Sequence, residues 1–262
     1  MLVRNEDVFV ERAIRNVAAV CDRIHVLDHH SDDGTSEVLA RLAGELDHLE
    51  LRRSRRAAES HDMLQRYVGT PTWVLGVDGD ELFDPEGLAA LRRALESGEH
   101  ADVFRLKGHV LNCDEVDPDG GTASGWLAPP SRPVTKLFNF AALERWAGAA
   151  ERLHEGDTVF RLGYDWDSLR YLSETYAWED DPLRCLHVCF VRRSTRDGGA
   201  ERLNLNETGL YDRTLAGAVR RRLGSAAVPP RVAELRRAGG NWKREWYTRG
   251  PRLTVDATPF LH

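Results

Sequence analysis

Two acidic residues separated by one glycine, Asp78 and Asp80, directly follow an apolar run of strand length, residues 73–77. On an extended chain, carboxylates two positions apart point to the same side, and Gly79 lets a ligand approach the backbone between them. Carboxylate oxygens in this geometry suit Mg²⁺ or Mn²⁺, which keep coordination positions for phosphate oxygens. An Asp-Gly pair is also an ordinary turn former. Its position after a strand that is predicted to be buried favours the metal site.

Short strands and helices that alternate over the first hundred residues must position this acidic pair. Apolar, β-rich runs predict the strands, and amphipathic stretches predict helices that begin near Asp7, Ser36 and Pro85. Alternation with short turns predicts an α/β fold with a parallel sheet, whose ligands bind at the carboxyl ends of the strands. The residues that follow the predicted strands are therefore expected in one site: Arg4, Asn5, Asp28, Arg53, Asp78 and Asp80.

The second half of the chain is predicted to be less regular. Residues 112–133 are rich in glycine and proline, which predicts a loop, and a loop of this length is more often functional than idle. Strands are predicted at residues 134–138 and 186–191. The chain then ends in an amphipathic stretch and an aromatic tail that contains Trp242, Trp246 and Tyr247.

The composition is that of an ordinary soluble globular protein, with 42% hydrophobic and 30% charged residues. It excludes a disordered tail, a fibrous repeat and, with four scattered cysteines, a disulfide scaffold. No apolar run of roughly 18 residues and no signal-peptide pattern is present, so we expect a cytoplasmic protein without a membrane span. The basic residues are 33 arginines and 3 lysines, a bias more typical of GC-rich coding than of nucleic-acid binding, so we expect no nucleic-acid partner.

Charge is unevenly divided along the chain. Residues 1–183 hold 20 basic and 35 acidic residues, a net charge of −15, whereas residues 184–262 hold 16 and 7, a net charge of +9. This division suggests an anionic ligand held between the two parts, or a basic arm for a partner. Mutual attraction of the two parts is the alternative.

Several segments, taken in order, resemble the glycosyltransferase family 2 enzymes of the GT-A fold. Residues 1–6 resemble the family's opening strand and Asn-Glu turn, and residues 26–35 are similar to its Val-Asp-Asp-Gly-Ser-Thr-Asp-Gly-Thr segment. Residues 73–81 match its Trp-(apolar)-Asp-x-Asp-Glu strand. Lys136-Leu137-Phe138 and His154-Glu155 resemble the Arg-Leu-Phe and His-Glu signatures of one branch. The resemblance covers roughly residues 1–190 in the same order, which is more specific than any one motif.

The resemblance implies a Rossmann-like GT-A domain over residues 1–190, with a mostly parallel central sheet flanked by helices. Residues 191–262 would be a helical, aromatic extension packed on the same domain. Asp28 would bind the nucleotide base, Asp78 its ribose, and Asp80 the Mn²⁺ or Mg²⁺ on its diphosphate. The expected metal ligands are Asp78, Asp80 and His187, and the expected nucleotide-sugar contacts are Val3, Arg4, Asn5, Glu6, Asp28, Arg53, Asp62, Asp78, Gly79, Arg192 and Arg193.

The resemblance makes Glu155 the general base, since it matches the family's His-Glu acid. An inverting transfer needs a carboxylate that takes the acceptor's proton as the acceptor attacks the anomeric carbon. Asp180, in an x-Glu-Asp form that resembles other GT-A enzymes, is the alternative base. Trp126 and His154 are expected beside the acceptor, with the aromatic tail stacking on it.

Together these features predict a metal-dependent, inverting glycosyltransferase. It would move one sugar from a nucleoside diphosphate sugar, UDP-linked in our interpretation, to a hydroxyl of a small molecule, glycan or peptide. The chain lacks the Gln-x-x-Arg-Trp motif of processive synthases, which favours transfer of a single sugar. Two alternatives stay open: a nucleotidyl- or phosphotransferase that uses the same acidic metal site, and a non-catalytic nucleotide- or partner-binding module. The sequence also leaves a homodimer open.

Overall fold

The computed structural model describes residues 1–57, 59–131, 136–147, 157–196 and 242–261. These residues form a mixed α/β structure with several sheets, which confirms the predicted α/β class. None of the helices in these ranges is long and apolar enough to cross a membrane.

The helices and strands are short. In chain order, the strands are β1 (Leu2–Val3), β2 (Ile24–Asp28), β3 (Leu49–Arg53), β4 (Trp73–Gly76), β5 (Glu81–Phe83), β6 (Arg105–Lys107), β7 (Val110–Asp117), β8 (Thr122–Ala128), β9 (Lys136–Asn139), β10 (Leu143–Ala147), β11 (Asp157–Phe160), β12 (Leu169–Tyr171), β13 (Cys185–His187) and β14 (Arg252–Asp256). The α-helices are α1 (Val10–Ala18), α2 (Thr35–Glu45), α3 (Glu59–Asp62), α4 (Pro85–Glu96), α5 (Trp242–Tyr247) and α6 (Thr258–Leu261). Short 3₁₀ helices lie at Gln65–Tyr67, Phe140–Ala142, Leu172–Glu174 and Trp178–Asp180.

The first three strands form the expected parallel sheet, in the order β1-β2-β3. Helix α1 connects β1 to β2, and α2 connects β2 to β3. Val10, Ile14 and Val17 recur at helical spacing on α1 and are buried, so one face of this helix packs into the core. The alternation of strands and helices predicted for this part of the chain is confirmed.

The other sheets mix parallel and antiparallel strands. One has the order β12-β6-β9-β4, another the order β14-β8-β7-β13-β5, and β10 pairs with β11. Among the described strands, four pairs are parallel and six are antiparallel, so the expectation of a mostly parallel sheet is not met. Strand β4, expected among parallel neighbours, pairs with antiparallel β9. Parallel neighbours need long crossover connections, whereas short turns such as the one between β7 and β8 make antiparallel pairs.

Residues 110–128 form a β-hairpin, which corrects the predicted loop at 112–133. Strand β7 pairs with β8 across the turn 118–121, in which Asp117 Oδ1 accepts a hydrogen bond from the Gly120 backbone N–H at 2.9 Å. Gly125 lies against the backbone carbonyl of Asn112, and a Cβ at position 125 would overlap that carbonyl. The glycines that predicted a loop therefore serve a tight turn and a close approach of two strands.

The C-terminal residues supply a strand as well as a helix. Strand β14 pairs with β8 and becomes the edge of the five-stranded sheet. Helix α6 buries Phe260 and Leu261 in the core. Asn16, which is buried on α1, donates hydrogen bonds from Nδ2 to the carbonyls of Phe83 at 2.8 Å and Phe260 at 2.9 Å. The extension that we expected to be helical is thus also part of the main sheet.

Candidate functional site

The segment after β1 and the turn after β4 lie against each other. A Cβ built on Gly79 would lie 2.8 Å from Glu6 Cγ and 3.4 Å from Val3 Cγ1. Glu6 and Val3 are themselves buried. The structure therefore brings together two groups of residues that we expected in one site, and only a glycine fits at position 79 without displacing a neighbour.

Asp78 and Asp80 lie in different environments. The chain turns at this point, because Glu81 N donates to Asp78 O at 3.1 Å, and Glu81 Oε2 accepts from Asp78 N at 2.8 Å. Our prediction of an extended chain at Asp78 and Asp80 is therefore wrong. Asp80 is buried with 4% of its surface exposed, whereas Asp78 is exposed.

Asp80 contacts positive and hydrogen-bond-donor groups that lie at the end of β13 and in the residues that follow it. Its Oδ2 atom forms an ion pair with Arg193 Nη1, which also lies 3.8 Å from Glu6 Oε1. His187 Nε2 lies 3.6 Å from the same Asp80 oxygen. The Asp80 backbone carbonyl accepts a hydrogen bond from Val188 N at 2.9 Å. The structure thus joins Asp80, His187 and Arg193, three residues that the sequence analysis placed in one site.

Asn112 orients His187 and was missed by the sequence analysis. The Nδ1 atom of His187 lies 2.9 Å from Asn112 Oδ1, and Asn112 Nδ2 donates to the Tyr247 carbonyl at 3.3 Å. Since Asn112 uses its amide N–H on Tyr247, its oxygen must accept, so His187 Nδ1 carries a proton. No local signal marks Asn112, because its role depends on the pairing of β7 with β13.

His187 is expected to be charged at neutral pH. Burial by itself lowers the pKa of His187, but the neighbouring Cys189 and Asp80 outweigh burial and raise the pKa to about 10. The imidazole is therefore protonated and positive where it faces Asp80.

One row of residues crosses the five-stranded sheet beside this group. The backbone registers pair residues of β5, β13, β7, β8 and β14 in turn: Glu81, His187, Asn112, Trp126 and Arg252. Side chains opposite each other on neighbouring strands lie on the same face of a sheet. Trp126, which we expected at the acceptor, is therefore level with His187 and two strands away.

An aromatic cluster connects Trp126 to His187. The Trp126 ring centroid lies 6.0 Å from that of Phe190, which lies 6.4 Å from that of Tyr247, which in turn lies 5.4 Å from the His187 ring. Trp126 and Phe190 are half-buried, so part of each ring faces outward. Tyr247 belongs to the aromatic tail that we expected at the acceptor. The sequence analysis did not single out Phe190.

Asp28 holds the loop that follows β2. Asp28 is buried, with 2% of its surface exposed, and its carboxylate accepts from Ser31 N at 2.8 Å and Ser36 Oγ at 2.6 Å. Arg53 Nε lies 3.4 Å from the same carboxylate, and Arg53 also donates to the Ser31 carbonyl at 3.1 Å. In this arrangement the Asp28 oxygens point into their own loop.

Asn5 ties the segment after β1 to the same loop. Asn5 has a left-handed backbone with φ of 54°, and its Nδ2 donates to Asp32 Oδ1 at 2.7 Å. Its backbone N–H donates to Ser31 Oγ at 3.0 Å. Arg4 is half-buried beside it. Asparagine is one of the few residues other than glycine that adopt this conformation readily.

The segment 192–196 closes over these loops. Ser194 Oγ donates to Asp33 Oδ2 at 2.6 Å, Thr195 N donates to Asp7 Oδ1 at 2.8 Å, and Arg196 Nη1 lies 3.2 Å from Asp32 Oδ2. We call residues 192–196 the closing segment. It carries Arg193 into the acidic group, whereas the exposed Arg192 donates to the carbonyls of Ser194 and Thr195 and stays outside.

Other expected site residues lie elsewhere. Asp180 is exposed in a 3₁₀ helix that precedes β13, whereas His187 ends β13, so the strand separates them. Asp62 ends α3 with an exposed side chain. His154 and Glu155 lie outside the described residues.

The residues around Asp80 do not fit a divalent metal ion as they are arranged. Asp80 already lies against the Arg193 guanidinium, which also lies 3.8 Å from Glu6, and a metal ion would have to displace this positive group. Within the described ranges, no group of three or more His, Cys, Asp and Glu side chains is arranged to hold a metal ion. We therefore derive no step through a metal.

No family model matches the chain, and no curated protein matches it significantly. Assignment to a family thus depends on the residues quoted for the resemblance.

Proposed function

We propose that this chain transfers one sugar from a nucleoside diphosphate sugar to a hydroxyl acceptor. One observation carries the proposal: the segment after β1, the turn after β4 and the end of β13 meet, and they hold a positive pair, Arg193 and His187, on Asp80. Ligands of α/β sheets bind beyond the ends of strands, and two positive side chains there can bind phosphate oxygens. These features suit a phosphate-containing ligand.

The positive pair would act on the departing nucleoside diphosphate. As the bond between the anomeric carbon and the diphosphate oxygen breaks, negative charge grows on that oxygen. Preorganised donors such as Arg193 and His187 stabilise such charge, because they need little rearrangement when it develops. Asn112 keeps the His187 Nε2–H directed to this place by holding the other ring nitrogen.

The aromatic cluster of Trp126, Phe190 and Tyr247 would bind the acceptor. Sugars and other ring compounds stack on aromatic faces, and the cluster begins at the His187 ring. Glu155 remains our proposed general base, and inversion follows from a single displacement. The position of Asp180 at the opposite end of β13 makes it the weaker candidate.

Nucleotide binding gives the first test. We expect UDP at about a hundred times its Kd to raise the melting temperature by about 5 °C. Uridine at the same concentration lacks the diphosphate and should give a smaller rise. GDP, dTDP and CDP would show which base is preferred. As a control, Arg145→Gln removes an exposed arginine paired with Asp157 at 2.7 Å and should keep the UDP shift. If none of the four diphosphates raises the melting temperature, the proposed function is wrong.

Turnover of the preferred donor gives the second test. Glu155→Gln should keep UDP binding and lose sugar transfer, because the amide cannot take the acceptor's proton. Asp180→Asn should keep transfer. Nuclear magnetic resonance of the product would report the anomeric configuration. Retained configuration, or full activity of Glu155→Gln, would contradict this mechanism.

A further inference from the structure

Arg193 is anchored in the acidic group by its side chain and by its neighbours. Its side chain is 17% exposed, against 5% for Asp80 and 10% for Glu6. The Arg193 carbonyl accepts from Val8 N at 3.1 Å, and the next two residues of the closing segment bond to Asp33 and Asp7. These backbone and neighbouring contacts fix the chain at Arg193 and so position its guanidinium.

Arg193 remains positively charged in this place. An arginine held by two carboxylates is a fixed positive charge at any ordinary pH.

We propose that Arg193 is the resident cation at Asp80, in the place that the resemblance gives to a divalent metal ion, and that it binds the donor's diphosphate without a metal. A guanidinium has five N–H donors in a planar fork, so one edge can bind the carboxylate while another binds a phosphate oxygen. The exposed part of the side chain is where a ligand would reach it. Asp80 then orients an arginine instead of holding a metal.

The nature of the ligand in this proposal rests on the proposed function, but the identity of the cation at Asp80 does not. Two measurements on the full chain separate them. The first uses UDP as the probe, and the second uses Mn²⁺ alone.

Calorimetric titration with UDP is carried out in EDTA and again with Mn²⁺. We expect the Kd of the unchanged chain to differ by less than about threefold between the two, and Arg193→Gln to weaken binding in EDTA by about tenfold or more. Arg193→Lys should recover only part of the loss, because an ammonium lacks the planar fork. Arg145→Gln serves as the control for removal of an arginine. A tightening of about tenfold by Mn²⁺ in the unchanged chain would overturn the proposal.

Titration with Mn²⁺ alone decides the cation if no nucleotide binds. Electron paramagnetic resonance of free Mn²⁺ reports how much metal the chain takes up. We expect no Mn²⁺ site that depends on Asp80. A Mn²⁺ site that Asp80→Asn weakens by about tenfold or more would show that Arg193 gives way to a metal, and the proposal would be wrong. Thermal unfolding of each variant confirms that it is folded.

Discussion

At the scale of single residues, Gly79, Glu6 and Asp80 meet where β1 and β4 end. The Cβ and Cγ atoms of Glu6 fill the space that a side chain at position 79 would need. Glu6 in turn lies 3.8 Å from the guanidinium that pairs with Asp80. A displacement of Glu6 would therefore move Arg193 as well.

Gly79→Ala is expected to destabilise the protein and weaken UDP binding. The new Cβ would lie 2.8 Å from Glu6 Cγ, so backbone or side chain must shift, at a cost of about 1–3 kcal/mol. Urea unfolding measures the stability, and calorimetry measures the binding. Gly44→Ala on α2 is the control, because a Cβ there meets nothing within 4 Å and a helix gains about 0.5–1 kcal/mol from the change. Equal effects of the two substitutions would contradict this view of the site.

The sequence predicted part of the site at this scale. Gly79 and Asp80 were expected there because they follow a predicted strand, whereas His187 and Arg193 were expected there because of the resemblance. Asn112 was missed, since its partner lies 75 positions away and only the register of β7 with β13 brings them together. The ion pair of Arg193 with Asp80 depends on a separation of 113 positions and has no local signal either.

At the scale of elements, α1 and α2 are joined by a network of surface charges. Glu11 on α1 pairs with Arg41 on α2 at 2.5 Å and with Arg15 at 2.9 Å. Arg15 in turn pairs with Glu45 of α2 at 2.6 Å. The hydrogen bond from Arg41, which outweighs burial, and a weaker one from Arg15 lower the pKa of Glu11 to about 2.

Glu11→Gln is expected to remove stability that depends on pH. A carboxylate with a lowered pKa stabilises the folded state above its unfolded pKa of 4.5, and this contribution is lost as the pH falls towards 2. Because the pair is largely exposed, we expect a loss of about 0.5–1 kcal/mol at pH 7. Urea unfolding at pH 7 and pH 3 measures it, and 1 M salt should reduce it.

Asp102→Asn, which breaks a single exposed ion pair with Arg170, is the control. We expect it to lower the free energy of unfolding by less than Glu11→Gln does. A Glu11→Gln effect that is as large at pH 3 as at pH 7 would show that charge is not its cause.

The elements themselves were predicted unevenly. The parallel β1-β2-β3 sheet with α1 and α2 follows from hydrophobic spacing, which is a local property. We predicted a loop where the β7–β8 hairpin lies, because glycines often interrupt strands and helices. Gly125 instead allows two strands to approach each other closely. Strand direction and neighbour order in the mixed sheets depend on contacts between distant segments, which spacing does not show.

At the scale of the whole molecule, oppositely charged parts of the sequence are joined. In the described part of the chain, four arginines of residues 184–262 pair with acidic residues of 1–183: Arg184 with Asp84, Arg193 with Asp80, Arg196 with Asp32 and Arg252 with Asp114. This is the mutual attraction that the charge division left open as an alternative. The C-terminal helix α6 adds apolar contacts, with Phe260 fully buried and stacked on Trp178 at 5.9 Å.

Phe260→Ala is expected to destabilise the molecule by about 3–5 kcal/mol, since it empties a buried ring position between α1, β5 and α6. Trp246→Ala removes a ring that is 46% exposed and should cost less than about 0.5 kcal/mol. Urea unfolding of both variants measures the difference. If the two losses are similar, α6 is not part of the cooperative core.

The row from Glu81 to Arg252 makes the length of each strand as important as the identity of its residues. Deleting one residue from β7 before Asn112 would turn Asn112 to the opposite face of the sheet and leave His187 without its partner. Deleting two would restore the face but move the amide by about 6–7 Å along the strand. Small deletions in β7 should therefore abolish function even where every named side chain is kept, while insertions at the exposed turn residues 118–120 should be tolerated.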